Sequence, residues 1–183
     1  MSDTPSIPHN REAEEATIGA VLINPDCYYD VAQIIQAPDF YIHRHVWIWE
    51  AFAALTEQRT PLDLLTVTDE LERRGRLAEV SPAYLTALIN QVPDSGNAEH
   101  YAKIVYANSL RRKMIQAANK VAALGYDDTN DAEKALGEAH AELDTITPNY
   151  RRHSSPLGDR VFAQAFDASQ KGDVPASRPV LSG

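Results

Sequence analysis

Residues 98–124 contain neither proline nor glycine, and this uninterrupted stretch constrains the fold more than any other feature of the sequence. Asn97 is placed to cap its start, and Gly125 is placed to end it. Apolar side chains such as Tyr101 and Ile104 recur along it at helical spacing. A helix of this length would extend for roughly 40 Å, which is longer than a small bundle needs. We therefore expect it to project from the rest of the fold.

A second helix of similar character is predicted after the polar turn at 125–131. Its apolar side chains repeat at spacings of three and four: Ala132, Ala135, Leu136, Ala139, Leu143 and Ile146. The short turn predicts an antiparallel helical hairpin. Such a hairpin either folds back on its own domain or associates with another hairpin, and the sequence leaves both possibilities open. For self-association, the predicted residues are Ile115, Ala118, Val121, Ala122, Leu136, Ala139 and Leu143.

The residues before the hairpin predict a compact head of five short helices. Asn10, Asp63 and Ser81 each precede an amphipathic stretch and fit the N-cap position. Pro25 and Gly75 mark helix ends. No segment combines the alternation of a strand with paired turn signals. The predicted fold class is all-α, with a compact helical head, an antiparallel helical hairpin and a separate linker helix.

The first helix of the head combines small side chains with an acidic first turn. Its small residues, which would let another backbone approach closely, are Ala13, Ala16, Gly19 and Ala20. Glu12, Glu14 and Glu15 lie where the helix dipole favours negative charge. We expect these carboxylates to remain solvent-exposed and available to partners.

The charge distribution predicts a boundary near Tyr150. Residues 1–149 carry 12 basic and 23 acidic side chains, whereas residues 150–183 carry 5 and 3. The segment 147–156 contains prolines, serines and paired arginines, which suit an exposed connector. We therefore divide the chain into a globular helical head at 1–96, a hairpin of the same domain at 97–146 and a linker with an amphipathic helix at 147–183.

The linker helix is predicted between Pro156 and Gly172. It is too short to be stable alone in water, so the head, another subunit or another domain must cover its apolar face. The predicted docking residues on that face are Leu157, Val161, Phe162, Ala165 and Phe166.

Charge and motifs exclude several functional classes. The net charge of -9 opposes binding to duplex nucleic acid, which requires clustered lysine and arginine. None of the eight glycines is followed by lysine, so the chain has no P-loop and we expect no ATP hydrolysis by it. No glutamate has a histidine three residues later, which argues against a di-iron site.

Single residues with chemical potential favour structural interpretations. His43 and His45 have a spacing compatible with metal binding, but further ligands are missing, so we expect a capping or surface role. Cys27 is the single cysteine and cannot form an internal disulfide. A small, buried hydrophobic side chain is the expected role for it, and no catalytic or metal site is predicted.

The basic cluster of the long helix is weak evidence for binding. It comprises Arg111, Arg112, Lys113 and Lys120, and we expect a solvated face or a contact with an acidic partner. The N-terminus has no apolar signal region, and no apolar run reaches the length of a membrane span. We therefore expect a cytoplasmic protein with no membrane contact.

Four segments in the same order carry a family resemblance: PHNREAEEATIGAVLINPD, DFYIHRHVWIWEAFAALTEQRTPLDLLTVTDELERRGRL, AYLTALINQVPDSGNAEHYAKIV and RRKMIQAANKVAALGYD. Together they resemble the N-terminal domain of bacterial DnaB-type replicative DNA helicases over about residues 8–146. In that family a helical head and hairpin precede a linker helix and a RecA-like ATPase domain. Residues 155–172 match the linker helix by position and amphipathic character.

The resemblance implies a collar. Its N-terminal domains pair through their hairpins as dimers, the pairs close into a ring of six, and the ring carries primase. The linker helix contacts the ATPase domain of the neighbouring helicase subunit, and a helicase loader is a further partner. The resemblance implies no direct DNA binding and no cofactor in this chain, because ATP and Mg belong to an ATPase domain that would begin near the final residues.

Two alternatives remain open. A stand-alone helical adaptor or helicase-loading factor could use the same fold, and a P-loop encoded after residue 183 would argue against it. A small enzyme could use an unrecognised site among the histidines and acids.

Overall fold

The computed structural model describes residues 6–129 and 131–146, and every regular element in these ranges is helical. The α-helices are α1 (Arg11–Ile23), α2 (Tyr28–Ile34), α3 (His43–Glu57), α4 (Leu64–Arg73), α5 (Pro82–Gln91), α6 (Ala98–Tyr126) and α7 (Ala132–Asp144). Short 3-10 helices occupy Pro25–Cys27, Ala37–Asp39 and Ser95–Asn97. The all-α class is confirmed, while the predicted linker helix and its docking residues lie outside the described residues.

Local capping chemistry sets the start of three helices in the head. The side chains of Asn10, Asp63 and Ser81 accept hydrogen bonds from first-turn backbone amides at 2.8, 2.9 and 3.2 Å. Each bond satisfies an amide that the helix itself leaves unpaired. Gly75 follows α4 with φ +68°, a conformation that glycine adopts without a side-chain clash. These predicted boundaries are confirmed.

The helix α6 begins where predicted, but the role of the Asn97 side chain and the end of the helix differ from the prediction. Asn97 occupies the N-cap position, but its side chain donates to Asp94 Oδ2 at 3.0 Å and caps nothing. Gly125 lies inside the helix, which continues to Tyr126. The turn begins at Asp127, whose carboxylate accepts bonds from the Thr129 amide and hydroxyl at 3.0 and 2.6 Å. This side-chain turn ends the helix, so no glycine is needed there.

The helix α1 lies against α3, α5 and α6 and is the centre of the head. A Cβ added to Gly19 would lie 2.3 Å from the Leu88 carbonyl oxygen and 2.4 Å from Val92 Cγ2. The close backbone approach predicted from the small residues of α1 is therefore confirmed. The largest fully buried aliphatic and aromatic side chains of the described residues are Phe52, Ile18, Ile35, Ile48, Leu71, Leu85 and Leu88.

The long helix α6 belongs to two parts of the structure. Its first turns close the core of the head through the buried residues Ala98, Ala102 and Val105. Its second half packs antiparallel against α7 and forms the predicted hairpin. The boundary between head and hairpin at residues 96 and 97 stays a prediction, because the continuous helix α6 belongs to both the head and the hairpin.

Candidate subunit interface

Small and aliphatic side chains join α6 to α7. Ala139 is buried between the helices, and Val121, Leu124 and Ala135 lie beside it. On the exposed side of the hairpin, Lys120 Nζ lies 2.6 Å from Glu142 Oε1. An exposed ion pair of this kind contributes at most about 1 kcal/mol, so the close packing of small side chains carries most of the stability.

The predicted self-association residues are divided between two surfaces of the hairpin. Ala139 lies in the intramolecular contact, and Val121 is half-buried beside it. The exposed members are Ile115, Ala118, Ala122, Leu136 and Leu143. Ile115, Ala118 and Ala122 recur at helical spacing on one face of α6, and Leu136 and Leu143 lie seven positions apart on α7. We call these five exposed apolar side chains the outer stripe, since exposed apolar side chains of this kind mark protein contacts. Their role in self-association stays a prediction.

Sequence reasoning missed three residues of the hairpin. Ala117, not Ala118, is the buried alanine at this level of α6. Met114 and Tyr126 are exposed by 56% and 90%, so they add apolar surface to the same helix. Alanines at both 117 and 118 make the sequence pattern ambiguous, because either could face α7.

A crevice of about 510 Å³ lies near the tip of the hairpin. It is lined by Val121, Leu124, Ala132, Ala135, Leu136 and Ala139, with Asp127 and Asp128 beside them. The lining is mainly apolar, so the crevice can accept an apolar side chain. It offers no arrangement of acid, base and nucleophile of the kind that acyl or phosphoryl transfer requires.

The hairpin is fixed to the head by a buried carboxylate. Asp39 Oδ1 accepts hydrogen bonds from Ser109 Oγ at 2.6 Å and from Lys113 Nζ at 2.7 Å. Arg112 donates to the carbonyl oxygens of Pro8 and Asp39 at 2.8 and 2.5 Å. Burial lowers the pKa of Arg112, and the nearby carboxylates oppose this shift.

This attachment corrects the expectation for the basic cluster. Arg112 and Lys113 bind the chain's own head, so these two are not a free solvated face. Lys120 is exposed, as expected, and pairs with Glu142. Arg111 is exposed, as expected. Asp39 lies more than 70 positions earlier in the sequence, which is why local charge patterns did not indicate the pairing.

The expectation of a solvent-exposed acidic first turn in α1 is wrong for two of its three glutamates. Glu14 is only 1% exposed, and Glu15 is also buried. The Glu14 carboxylate accepts bonds from the Tyr41 and Ile42 amides at 2.8 and 3.2 Å, at the start of α3. A carboxylate there satisfies unpaired amides of a second helix and suits its dipole. Only Glu12 is exposed.

The surface or capping role expected for His45 is also wrong. The His45 side chain is fully buried, with Nδ1 2.7 Å from Glu14 Oε2 and Nε2 2.7 Å from the Tyr84 hydroxyl. His43 remains exposed. The His45 ring therefore connects α1, α3 and α5 through two hydrogen bonds, because a buried polar ring needs partners for both nitrogens.

Cys27 is half-buried and packs against the head core. Burial raises the pKa of its thiol, and the nearby Asp30 adds to the shift. A raised pKa lowers the fraction of thiolate, which is the reactive form. The structural interpretation of this cysteine fits its surroundings.

A helical head from which a helical hairpin projects defines an all-α class of domain with apolar side chains exposed on the hairpin. Residues 6–107 match the DnaB-like helicase N terminal domain family. The chain belongs to this family, which confirms the resemblance seen in the sequence. No helix in 6–129 or 131–146 has the length and apolar character needed to cross a bilayer.

Its relatives include replicative DNA helicases. The chain is 33% identical to DnaB of Leifsonia xyli over 76% of its own length and 31% of the relative. It is 33% identical to the replicative helicase DnaC of Bacillus subtilis over 91% of its length and 38% of the relative. It is 34% identical to DnaB of Geobacillus stearothermophilus over 87% of its own length and 36% of the relative. The chain thus spans about a third of these relatives.

Two solved structures share the fold. The N-terminal domain of DnaB helicase from Mycobacterium tuberculosis matches with a TM-score of 0.71 and 32% identity, covering 76% of this chain and 99% of that one. A DnaB-like replicative helicase, described with its interactions with primase, matches with a TM-score of 0.63 and 18% identity. That match covers 92% of this chain and 36% of the other, and it shows the fold alone.

Proposed function

We propose that this chain is the N-terminal collar region of a hexameric replicative DNA helicase, in which it pairs subunits and supports ring assembly. The observation that carries the proposal is the outer stripe of the hairpin, which the chain's own head leaves exposed. An isologous contact between two hairpins would bury this stripe on both copies at once. The pairs would then assemble into a ring of six.

The hairpin geometry supports such pairing. The outer stripe combines small residues, Ala118 and Ala122, with larger side chains at Ile115 and Leu136. Small residues let helices approach closely, and the larger ones fill the spaces beside them. Attachment through Asp39 holds the hairpin in a fixed direction from the head, so less conformational freedom is lost on association.

We also propose that the chain performs no catalysis of its own and binds no cofactor. In this account ATP and Mg act in an ATPase domain of the whole helicase, and the helicase activity belongs to that larger protein. The absence of Gly-Lys in the sequence supports this division, because a P-loop needs the lysine at the phosphates. Because the chain carries a net charge of -9, direct DNA binding by this region is not expected.

The partners in this account are a second copy, primase, the neighbouring subunit's ATPase domain and a helicase loader. Docking of primase is proposed from family membership and from the description of one structural relative with primase. The linker helix would connect subunits through the apolar face from Leu157 to Phe166. The boundaries at 1–96, 97–146 and 147–183 are part of the same proposal, as is a cytoplasmic location.

Sedimentation velocity over a range of concentrations tests the self-association. Ile115→Asp and Leu136→Asp should each weaken it at least about tenfold, because an unpaired carboxylate buried in an interface costs more than 1.4 kcal/mol. Leu65→Asp is the matched control, since Leu65 is 78% exposed on α4, away from the hairpin. Association that survives both hairpin substitutions, or that Leu65→Asp disrupts equally, would contradict this interface.

A further inference from the structure

Two arginines lie over aromatic rings at neighbouring positions of the head. Arg44 Cζ lies 4.1 Å from the centroid of the Tyr84 ring, and Arg76 Cζ lies 4.4 Å from the centroid of the Trp47 ring. Arg44 and Trp47 are three residues apart on α3, so they are neighbours on the helix surface. We call these four residues the stacked-arginine surface.

The two guanidinium groups differ from other arginines of the head. Arg73 and Arg74 both donate to the buried Glu70 carboxylate, and Arg11 donates to Glu15. Within the described part of the chain, by contrast, Arg44 and Arg76 form no ion pair and no side-chain hydrogen bond. Each therefore keeps five N–H donors for another molecule.

The rings hold these donors in place. Tyr84 and Trp47 are partly buried and pack against the head core, and the Tyr84 hydroxyl is bonded to His45. A guanidinium placed over a ring can still present its edge, which carries the N–H groups that match a carboxylate. A pre-oriented donor loses less side-chain entropy on binding than a mobile one.

We propose that the stacked-arginine surface binds a carboxylate-rich segment of a partner protein. The two guanidinium groups of the surface are positive and are not paired with any described carboxylate, although the head and hairpin as a whole are acidic. The carboxylates that the described contacts place nearest to Tyr84, Glu14 and Glu15, are already bound by His45 and Arg11. The ligands we propose for the Arg44 and Arg76 guanidinium groups are therefore carboxylates of another protein.

Single-stranded nucleic acid fits the surface less well. Bases bind by stacking on open aromatic faces, but here a guanidinium covers one face of the Tyr84 ring and one face of the Trp47 ring. His43 also stacks against Trp47, with ring centroids 6.3 Å apart.

The inference rests on the proposed docking role of this region and names one surface for it. The test uses the full chain and a glutamate-rich peptide, with the matching glutamine-rich peptide as a control. Binding is measured by fluorescence anisotropy of the labelled peptide at physiological salt. Arg44→Gln with Arg76→Gln should weaken binding about tenfold for each guanidinium removed.

A matched variant separates this site from general charge. Arg59→Gln with Arg111→Gln removes two exposed arginines outside the surface and should change the affinity less than twofold. Arg44→Lys with Arg76→Lys keeps the charge but loses the planar donors, so it should still lose most of the binding. The far-UV circular dichroism of each variant checks that the head remains folded.

Several results would overturn the inference. One is that the wild type binds the glutamate and glutamine peptides equally well. Another is that the Arg59 and Arg111 control loses as much peptide affinity as the Arg44 and Arg76 variant. A third is that Arg44 and Arg76 bind oligothymidylate instead of the peptide. Weaker self-association of the Arg44 and Arg76 variant would assign the surface to a second copy, which also contradicts the inference. Because self-association is measured separately by sedimentation velocity, the proposed function can stand when this surface fails.

Discussion

Replacing Gly19 with alanine tests the closest backbone approach in the head. The added Cβ would lie 2.3 Å from the Leu88 carbonyl oxygen and 2.4 Å from Val92 Cγ2, both well inside van der Waals contact. The Leu88 oxygen belongs to the backbone of α5 and cannot rotate away. The methyl group therefore fits only if α1 and α5 move apart.

Two opposing effects decide the sign of the change. Alanine in a helix is favoured over glycine by about 1 kcal/mol, which would stabilise the protein. Overpacking a tight contact costs about 1–3 kcal/mol, and the rigid backbone neighbour places this site at the upper end. We therefore expect Gly19→Ala to lower the free energy of unfolding by about 2 kcal/mol.

Urea denaturation followed by circular dichroism measures this change. Gly137→Ala is the matched control, because it makes the same substitution inside α7, where nothing lies within 4 Å of the new Cβ. It should raise stability by up to about 1 kcal/mol. If Gly19→Ala is neutral or stabilising, the close approach of α1 to α5 is wrong. A loss with Gly137→Ala would refute the argument from helix propensity.

Other substitutions test separate contacts. His45→Phe should cost about 1–3 kcal/mol in thermal unfolding, because the buried Glu14 carboxylate loses a partner; an unchanged melting temperature would contradict this. Ala139→Asp should speed hydrogen exchange in α7 while the head stays protected, since the carboxylate is buried between α6 and α7; uniform protection would contradict it. Burial would raise the pKa of Glu70, but Arg74 and Arg73 outweigh it and lower the pKa. The stability that Glu70 provides should therefore be present above its unfolded pKa of about 4.3 and be lost as the pH falls through its folded pKa. The free energy of unfolding of Glu70→Gln should therefore equal that of the wild type only in acid. The purified chain should show no ATP turnover, and stimulated turnover free of contaminants would refute its non-catalytic role.

Local chemistry allowed most of the fold to be predicted. The caps at Asn10, Asp63 and Ser81 depend on a side chain and an amide a few residues later, so the sequence alone contains the relevant information. The small residues around Gly19 likewise indicated close packing without naming the partner helix. Asn97 was an exception, because Asp94 competes for its side chain.

Long-range pairs could not be predicted in the same way. Glu14 meets the start of α3 from 27 positions away, and Lys113 meets Asp39 from 74 positions away. The neighbouring sequence of a charged residue in such a pair looks the same as that of a charged residue exposed to solvent. Neighbouring alanines at 117 and 118 hid which side of α6 faces α7. The stacked-arginine surface also depends on contacts between separate helices.

Intermolecular nuclear Overhauser effects test the pairing of subunits most directly. A sample mixes copies carrying labelled isoleucine and leucine methyl groups with unlabelled copies, and isotope filtering selects contacts between different chains. The account predicts intermolecular contacts at Ile115, Leu136 and Leu143, the exposed members of the outer stripe with labelled methyl groups. Contacts confined to methyl groups of the head, or none at concentrations where the chain is shown to self-associate, would contradict assembly through the hairpin.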